Sequence, residues 1–407
     1  MKISIFTPTH SSKYLSRLYD SIKNQTYQNY EWIIVPNNGA TIPFQIDDKT
    51  RIHPTVSAGN IGLLKKYACS FTTGEILVEV DHDDELFPNA LEEIATAFQN
   101  NKNIDFVYSN FCDVKKDYVP KTFEEIYGWK SRPCKFRNYN LIETIAFQPD
   151  PRSISKVWFA PNHVRAWKKS FYDKIGGHDE SLDILDDHDL ICRTYIHGNM
   201  HHIDKPLYVY HLHEGNTCYG DKNAKIQEQT LAIHDKYIYQ LVEKWCDLNG
   251  LRKIDLCGGF SKPDGYESVD LNNGDICADL DQQWPFEDGT VGLFRAHDAI
   301  EHIKSHVHTM KEAYRCLAPN GWFLTMTPST DGRGAFQDPT HVSFWNSNSF
   351  FYYCKAEQAK YIGTPVRFQL NRIKNYFPNS WCELHNIVYV KADLLKFDGR
   401  TPGLIEI

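Results

Sequence analysis

The stretch "ILVEVDHDDELFPNA" (Ile76–Ala90) decides the fold. An apolar run from Ile76 to Val80 reads as a buried strand and stops abruptly at Asp81-His82-Asp83-Asp84. Carboxylates so close repel one another, and taking them out of water is costly. Either they sit in solvent as a turn or a cation holds them. In an open α/β sheet, ligands bind beyond the carboxyl ends of the strands, and Asp81, Asp83 and Asp84 stand at such an end. Carboxylates spaced Asp-x-Asp can converge on one side of a turn. As hard oxygen ligands they suit Mg²⁺ or Mn²⁺, which in turn grips diphosphate oxygens.

The flanking sequence repeats the strand–helix rhythm. "KISIFTPT" (Lys2–Thr9) alternates apolar and polar residues, and the next segment places Leu15, Leu18 and Ile22 on one helical face. "YEWIIVPNNGA" and "GEILVEV" are further buried strands. Proline suits the first helical position, so the helix after the acidic cluster is expected to start at Pro88, with Leu91, Ile94 and Phe98 inward. This order implies a mostly parallel sheet with helices on both faces. The segment from Gly128 to Trp158, rich in Arg, Lys and aromatics, reads as loops and short elements around a site. A long helix is expected from Lys222 to about Leu248, carrying Ile233, Tyr237, Leu241 and Trp245 on one face, with Gly250 as its stop. A second α/β pattern follows, with strands in "KIDLCGG", "YESVDLN", "GLFRAHD" and "WFLTMTP" and a helix in "EHIKSHVHTMKEAYRCL". The expected division is residues 1–220, a linking helix 221–250, and residues 251–407.

The totals narrow the function. A chain of 407 residues suits two or three domains. A net charge of −8 argues against broad binding to nucleic acid or anionic lipid. No apolar run approaches the roughly 18 residues of a membrane span, and "MKISIFTPTH" enters a strand without a signal-peptide apolar stretch. The eleven cysteines form no Cys-x-x-Cys. A reduced, cytoplasmic location is therefore expected, without a disulfide framework or thiolate zinc site.

Three motifs taken in order, "SIFTPTHSSKYLSRLYDSIKNQTYQNYEWIIVPNNGA", "GNIGLLKKYACSFTTGEILVEVDHDDEL" and "IGGHDESLDILDDHDLICR", resemble family 2 glycosyltransferases of the GT-A fold. The resemblance covers roughly residues 2–217. It implies a nucleotide-sugar donor, a glycan acceptor and transfer with inversion. Pro8, Thr9, Asn38, Asp81 and Asp83 would contact the donor, and Asp83 would hold Mn²⁺ or Mg²⁺. Of the acidic pair Asp186-Asp187, Asp187 would be the general base; alone, the pair reads as a capped helix start. In "YHLHEGNT", His213 fits the family's metal-binding histidine best, with His211 second, against the reading of a surface loop histidine. Trp158, Asn162, His163, Arg165 and Trp167 are candidates for the acceptor or sugar pocket, or, for the tryptophans, for core. Asn37-Asn38 stands where many relatives carry an Asp pair, and an amide both donates and accepts.

In the second half, "DLCGG", "GYESVDLN", "ADLDQQWPFEDGTVGLFRAHDAIEHI" and "DPTHVSFWN" resemble a class I S-adenosylmethionine-dependent methyltransferase of Rossmann-like fold. That resemblance implies that Asp255 and Gly258 flank the cofactor's methionine part and that Asp270 holds its ribose. Asp279 and Leu280 would lie near the adenine, with His297 facing the sulfonium. Glu301-His302 reads as helix-start structure, and Asp338–Asn346 as a lid or acceptor loop in which His341 is a candidate base or a buried structural histidine. The expectation is a metal-dependent glycosyltransferase fused to an O-methylating domain. Its rivals are a non-catalytic docking module in the second half, and an acceptor that is a modified nucleic-acid base contacted by Lys130–Arg137.

Overall fold

The computed structural model describes residues 1–55, 60–125, 128–216 and 222–396. Cys218 and the expected domain edges at 220, 221 and 407 lie outside them. The described chain divides into two compact units, residues 1–241 and 242–396. The division falls inside one long helix, Lys222–Asn249.

Unit 1 comprises, in chain order, β1 (Ile3–Thr9), α1 (Leu15–Lys23), β2 (Tyr30–Pro36), β3 (Thr50–Ile52), α2 (Ile61–Ser70), β4 (Ile76–Glu79), β5 (Glu85–Leu86), α3 (Ala90–Asn100) and β6 (Phe106–Val114). There follow β7 (Pro120–Lys121), β8 (Lys130–Phe136), β9 (Tyr139–Ile145), α4 (Pro151–Ile154), β10 (Arg165–Lys168), α5 (Lys169–Lys174), α6 (Asp186–His197), β11 (Met200–His211) and α7, the long helix. The sheet runs β3-β2-β1-β4-β10-β6-β11-β5. β1 is parallel to β2 and β4, while β10 runs antiparallel between β4 and β6. All of β2 and β4 is buried, as expected of strands covered on both faces. Each buried Ile or Leu along them contributes on the order of 1.5–3 kcal/mol.

Two expectations fail here. The helix after the acidic run starts at Ala90, not Pro88. Pro88 precedes it in a turn, its carbonyl accepting from Thr26 N at 2.9 Å. The segment expected as loops and short elements instead contains a hairpin of two seven-residue strands, β8–β9, turned at Arg137-Asn138 with Arg137 at φ 51°. Pro133 and the charges of "KSRPCKF" hide a strand, yet an edge strand tolerates both. Phe136 and Leu141 bury the hairpin's apolar side against Phe87, Cys112 and Val209.

Unit 2 comprises β12 (Arg252–Leu256), β13 (Glu267–Asp270), β14 (Ile276–Cys277), β15 (Val291–His297), α8 (His306–Cys316), β16 (Leu317–Pro328), α9 (Gly334–Gln337), α10 (Ser347–Phe351), α11 (Ala356–Ile362), β17 (Gln369–Tyr376), α12 (Ser380–Leu384) and β18 (Tyr389–Leu395). Its order is β14-β13-β12-β15-β16-β18-β17, parallel except for β18, which is antiparallel to both neighbours. Strand order reverses between β12 and β15, which marks the switch point where such sheets bind ligands. Among the described residues the cysteines are free, and no helix is long and apolar enough to cross a membrane.

Candidate functional site

Unit 1 holds a cleft of about 660 Å³ at the carboxyl ends of β1, β2 and β4. Pro8, Thr9, Asn37, Asn38, Asp81, Asp83, Trp158, Asn162, His163, Arg165 and Asp187 line it. Thr9 pairs with Pro36 at the ends of β1 and β2, so the next residues, Asn37 and Asn38, come out beside Thr9. Asn38 is exposed at φ 50°, a left-handed position that Asn tolerates. Asn37 is 4% exposed, and its Oδ1 has no hydrogen-bond partner. Sequence reasoning chose Asn38; the buried, unpaired amide is the one before it.

The acidic run separates into three roles. Asp81 lies 3.4 Å from His163 Nε2. Burial opposes its ionisation, but His163 and Lys65 outweigh that and hold its carboxyl down at about 2. Asp83 Oδ2 accepts from His213 Nε2 at 2.8 Å, across 130 residues of chain. Tyr14 stacks on the His213 ring, and Gly215 N donates to its Nδ1, which orients the imidazole. Asp84 is fully buried and accepts from Tyr208 Oη at 2.9 Å and His211 N at 2.8 Å. Burial, reinforced by Asp83 and Asp81, pushes its pKa well up. His211 is committed elsewhere, its Nε2 donating to Glu85 Oε2 at 2.8 Å.

The later acidic pair also splits. Asp187 Oδ2 accepts from Arg165 Nη1 at 2.6 Å and Oδ1 from His188 N at 2.8 Å. Burial raises its pKa, but the Arg165 guanidinium brings it below the usual range. Asp186 also lines the cleft but is tied into a buried charge cluster with Lys65 (3.1 Å) and His178 (3.6 Å). Glu79, the last residue of β4, joins that cluster at 2.6 Å from Lys65. Burial raises the Asp186 pKa despite Lys65, whereas Glu79 is held low, against burial, by Lys65 and His178. Lys65, Glu79 and His178 escaped the sequence reading. The available signal was Lys65 itself, a lysine beside Leu64 and Ala68 on the inner face of α2. Trp158 lines the cleft, while Trp167 is core, its Nε1 donating to Thr194 Oγ1 at 3.0 Å.

In unit 2, Asp255, Gly258, Asp270 and His297 stand at or just past the ends of β12, β13 and β15, beside the switch point. Asp255 Oδ1 accepts from Arg295 Nη1 at 2.6 Å, and its Oδ2 is buried without a partner. A Cβ on Gly258 would lie 2.3 Å from that Oδ2, so any larger residue there would push the Asp255 carboxylate aside. Cys257 and Gly259 have φ of 54° and 47°, which folds the loop back over the strand end. Asp270 Oδ2 lies 3.7 Å from where a Gly259 Cβ would stand, and Oδ1 caps the turn through Asn272 N at 3.1 Å. His297 ends β15; burial and Arg295 lower its pKa to about 3, which keeps the ring neutral. Asp279 Oδ1 accepts from Asp281 N at 2.9 Å in a turn, and the Leu280 side chain packs in the apolar core.

The family model described as Glycosyl transferase family 2 matches residues 4–154, and that of a methyltransferase domain matches residues 260–325. The chain is 24% identical over 244 residues to the O-antigen biosynthesis protein RfbC of Myxococcus xanthus, a match covering 56% of this chain and 17% of that protein. It is 23% identical over 252 residues to chondroitin synthase of Pasteurella multocida, covering 60% of this chain and 24% of that enzyme. The matches thus span about a fifth of the length of these relatives. Among solved structures, S. aureus TarS 1–349 in complex with UDP-GlcNAc aligns at 17% identity and a TM-score of 0.41, covering 61% of this chain and 73% of that one.

Proposed function

We propose, from the premise that the first unit carries a family 2 glycosyltransferase domain and the second a methyltransferase domain, that the chain glycosylates a glycan from a nucleotide-sugar donor and O-methylates that glycan. The observation that carries the first half is the Asp83–His213 contact at the carboxyl end of β4. A carboxylate oxygen and an imidazole nitrogen meet there, the ligand types of a divalent cation site, and a cation in place of the shared proton would move the ring's proton to Nδ1, off the Gly215 N contact. The imidazole favours Mn²⁺ over Mg²⁺. Such an ion supplies positive charge for the departing diphosphate.

The chain's own residues account for the rest. Pro8, Thr9 and the Asn37 and Asn38 amides suit the nucleotide, with Asp81 beside the ribose or the cation. In an inverting displacement the acceptor oxygen bonds to the anomeric carbon as that carbon's bond to the diphosphate oxygen breaks. The acceptor proton passes to Asp187, which Arg165 orients and keeps ionised. Asp186 is unsuited to that role, because Lys65 engages it in the interior. Trp158, Asn162 and His163 offer a stacking surface and hydrogen bonds to a sugar.

In the second unit the unpaired Asp255 Oδ2 beside Gly258 suits the ammonium of S-adenosylmethionine, and Asp270 suits its ribose hydroxyls. That cofactor supplies the methyl group. The neutral His297 ring adds no like charge near a sulfonium. The acidic net charge favours a glycan over a nucleic-acid acceptor.

Incubating the purified chain with a panel of nucleotide sugars and Mn²⁺, read by mass spectrometry, tests the first half. Turnover of one donor is expected, lost on chelation and in Asp83→Ala. Turnover of none overturns the reading. Calorimetry with S-adenosylmethionine tests the second half, and absence of binding would leave that unit a docking module.

A further inference from the structure

Three side chains of unit 2 converge outside the residues assigned to the methyl donor. Glu301 and His302 lie on the 3₁₀ turn Ile300–His302, just past β15, and His341 lies on the loop after α9. One carboxylate oxygen and one nitrogen from each ring all lie within 4.8 Å of one another. The backbone fixes this convergence. Val342 N and Ser343 N both donate to Glu301 O, at 2.9 and 3.0 Å, and Ser343 Oγ donates to Ile300 O at 2.8 Å.

The proton positions suit a cation. Thr340 Oγ1 donates to Asp338 Oδ1 at 2.6 Å, so its hydrogen is already committed. Towards His302 that oxygen can only accept. The His302 Nδ1–H therefore donates, to Thr340 O and Oγ1, both at 3.2 Å. The His341 Nδ1–H donates to Ala335 O at 3.0 Å. With one proton each, these contacts place it on Nδ1 and leave the lone pair on Nε2. A carbonyl-held Nδ1 is the usual arrangement behind a metal-binding histidine. Glu301 adds an independent sign. It is 2% exposed, its Oε2 accepts from Thr327 Oγ1 at 2.8 Å, and its Oε1 is buried with no hydrogen-bond partner. A buried carboxylate oxygen without a donor is costly unless something positive completes it.

We propose that Glu301, His302 and His341 bind a first-row divalent transition-metal ion. Two imidazoles with one carboxylate suit Zn²⁺ or Fe²⁺ better than Mg²⁺ or Ca²⁺, and three protein ligands leave a position open for an oxygen ligand. If the methyl-transfer reading of this unit holds, that oxygen is a hydroxyl of the methyl acceptor, which the ion would polarise. The metal site itself does not depend on that reading.

The test uses the full chain, stripped by chelation and titrated with Co²⁺, followed by visible absorption. An Asp83→Ala background removes the cation site proposed in unit 1. In that background His302→Ala and His341→Ala are each expected to weaken one equivalent of Co²⁺ binding at least about tenfold. Glu301→Gln keeps the shape and the Thr327 contact and is expected to do the same. Without metal the variants should melt with their parent, and only the parent should gain thermal stability on adding Co²⁺. The proposal fails if the Asp83→Ala chain binds no Co²⁺, or if the histidine variants bind it as their parent does. Loss of S-adenosylmethionine binding with Co²⁺ binding intact would instead count against the methyl-transfer reading alone.

Discussion

Replacing Lys65 by Met removes the cation from a buried cluster of carboxylates. Its Nζ lies 2.6 Å from Glu79 Oε1 and 3.1 Å from Asp186 Oδ2, with side-chain exposures of 7%, 1% and 4%. Methionine fills a similar volume, so the change is chiefly one of charge. Removing one partner of a buried ion pair costs about 3–5 kcal/mol. His178, 3.6 Å from both carboxylates, softens the loss without replacing the closer ammonium. At about 2–4 °C per kcal/mol for a unit of this size, the transition of unit 1 should fall by roughly 6–20 °C. The pH dependence has a definite sign. In the native chain Glu79 is held below its usual 4.5, so its contribution is complete above that value and fades as pH falls through the lower folded value. In the variant, burial pushes Glu79 upward instead. The deficit should therefore be largest near neutrality and shrink as pH falls toward 4.5. Urea unfolding at a series of pH values, followed by tryptophan fluorescence, measures both. A deficit under about 1 kcal/mol at neutral pH, or one that does not change with pH, would refute the reasoning.

Three more outcomes are expected. Asp187→Asn keeps the shape but not the proton acceptor, so kcat for sugar transfer should fall by about 10²–10⁴ with donor KM little changed; steady-state kinetics reads the split, and an unchanged kcat removes Asp187 from the mechanism. Arg165→Met frees Asp187 from the cation that lowers its pKa. The acidic limb of the kcat/KM profile should then move to higher pH, and an unmoved limb would mean that some other group is the base. Gly258→Ala would set a methyl group 2.3 Å from Asp255 Oδ2, so calorimetry should find S-adenosylmethionine binding lost, and retained affinity would place the cofactor elsewhere.

The sheet was legible where burial is continuous. β1 alternates apolar with small polar residues, β2 and β4 are mostly apolar runs, all three stop at turn residues, and their order fixes a parallel core. The hairpin β8–β9 was not legible, because an edge needs no apolar period and "KSRPCKF" offers only Phe136 as buried anchor. Within the cleft, Asp81, Asp83 and Asp187 stood out as acids placed after a strand or at a helix start. Arg165 stood out only as one of several pocket candidates. Lys65, Glu79 and His178 did not, because a buried charge gives no sign in sequence of what neutralises it. Glu301 and His302 read as helix-start structure and do form a turn. The meeting with His341 depends on a loop that returns across forty residues, a closure that spacing does not encode.

The contacts of the acidic run also form a ruler. Glu85 meets the His211 ring, Asp84 meets the His211 amide, and Asp83 meets the His213 ring, so two segments read past each other in opposite directions. The tooth that matters most is the last, and it is placed by the two before it. Leu212 is the spacer that sets the count. Deleting it, or adding one residue beside it, would leave β11 paired with β6 and Asp84 still anchored, yet bring the wrong side chain opposite Asp83. In this segment chain length itself is a functional residue: the spacer side chain between the two histidines can vary in kind, but the count of residues between them cannot.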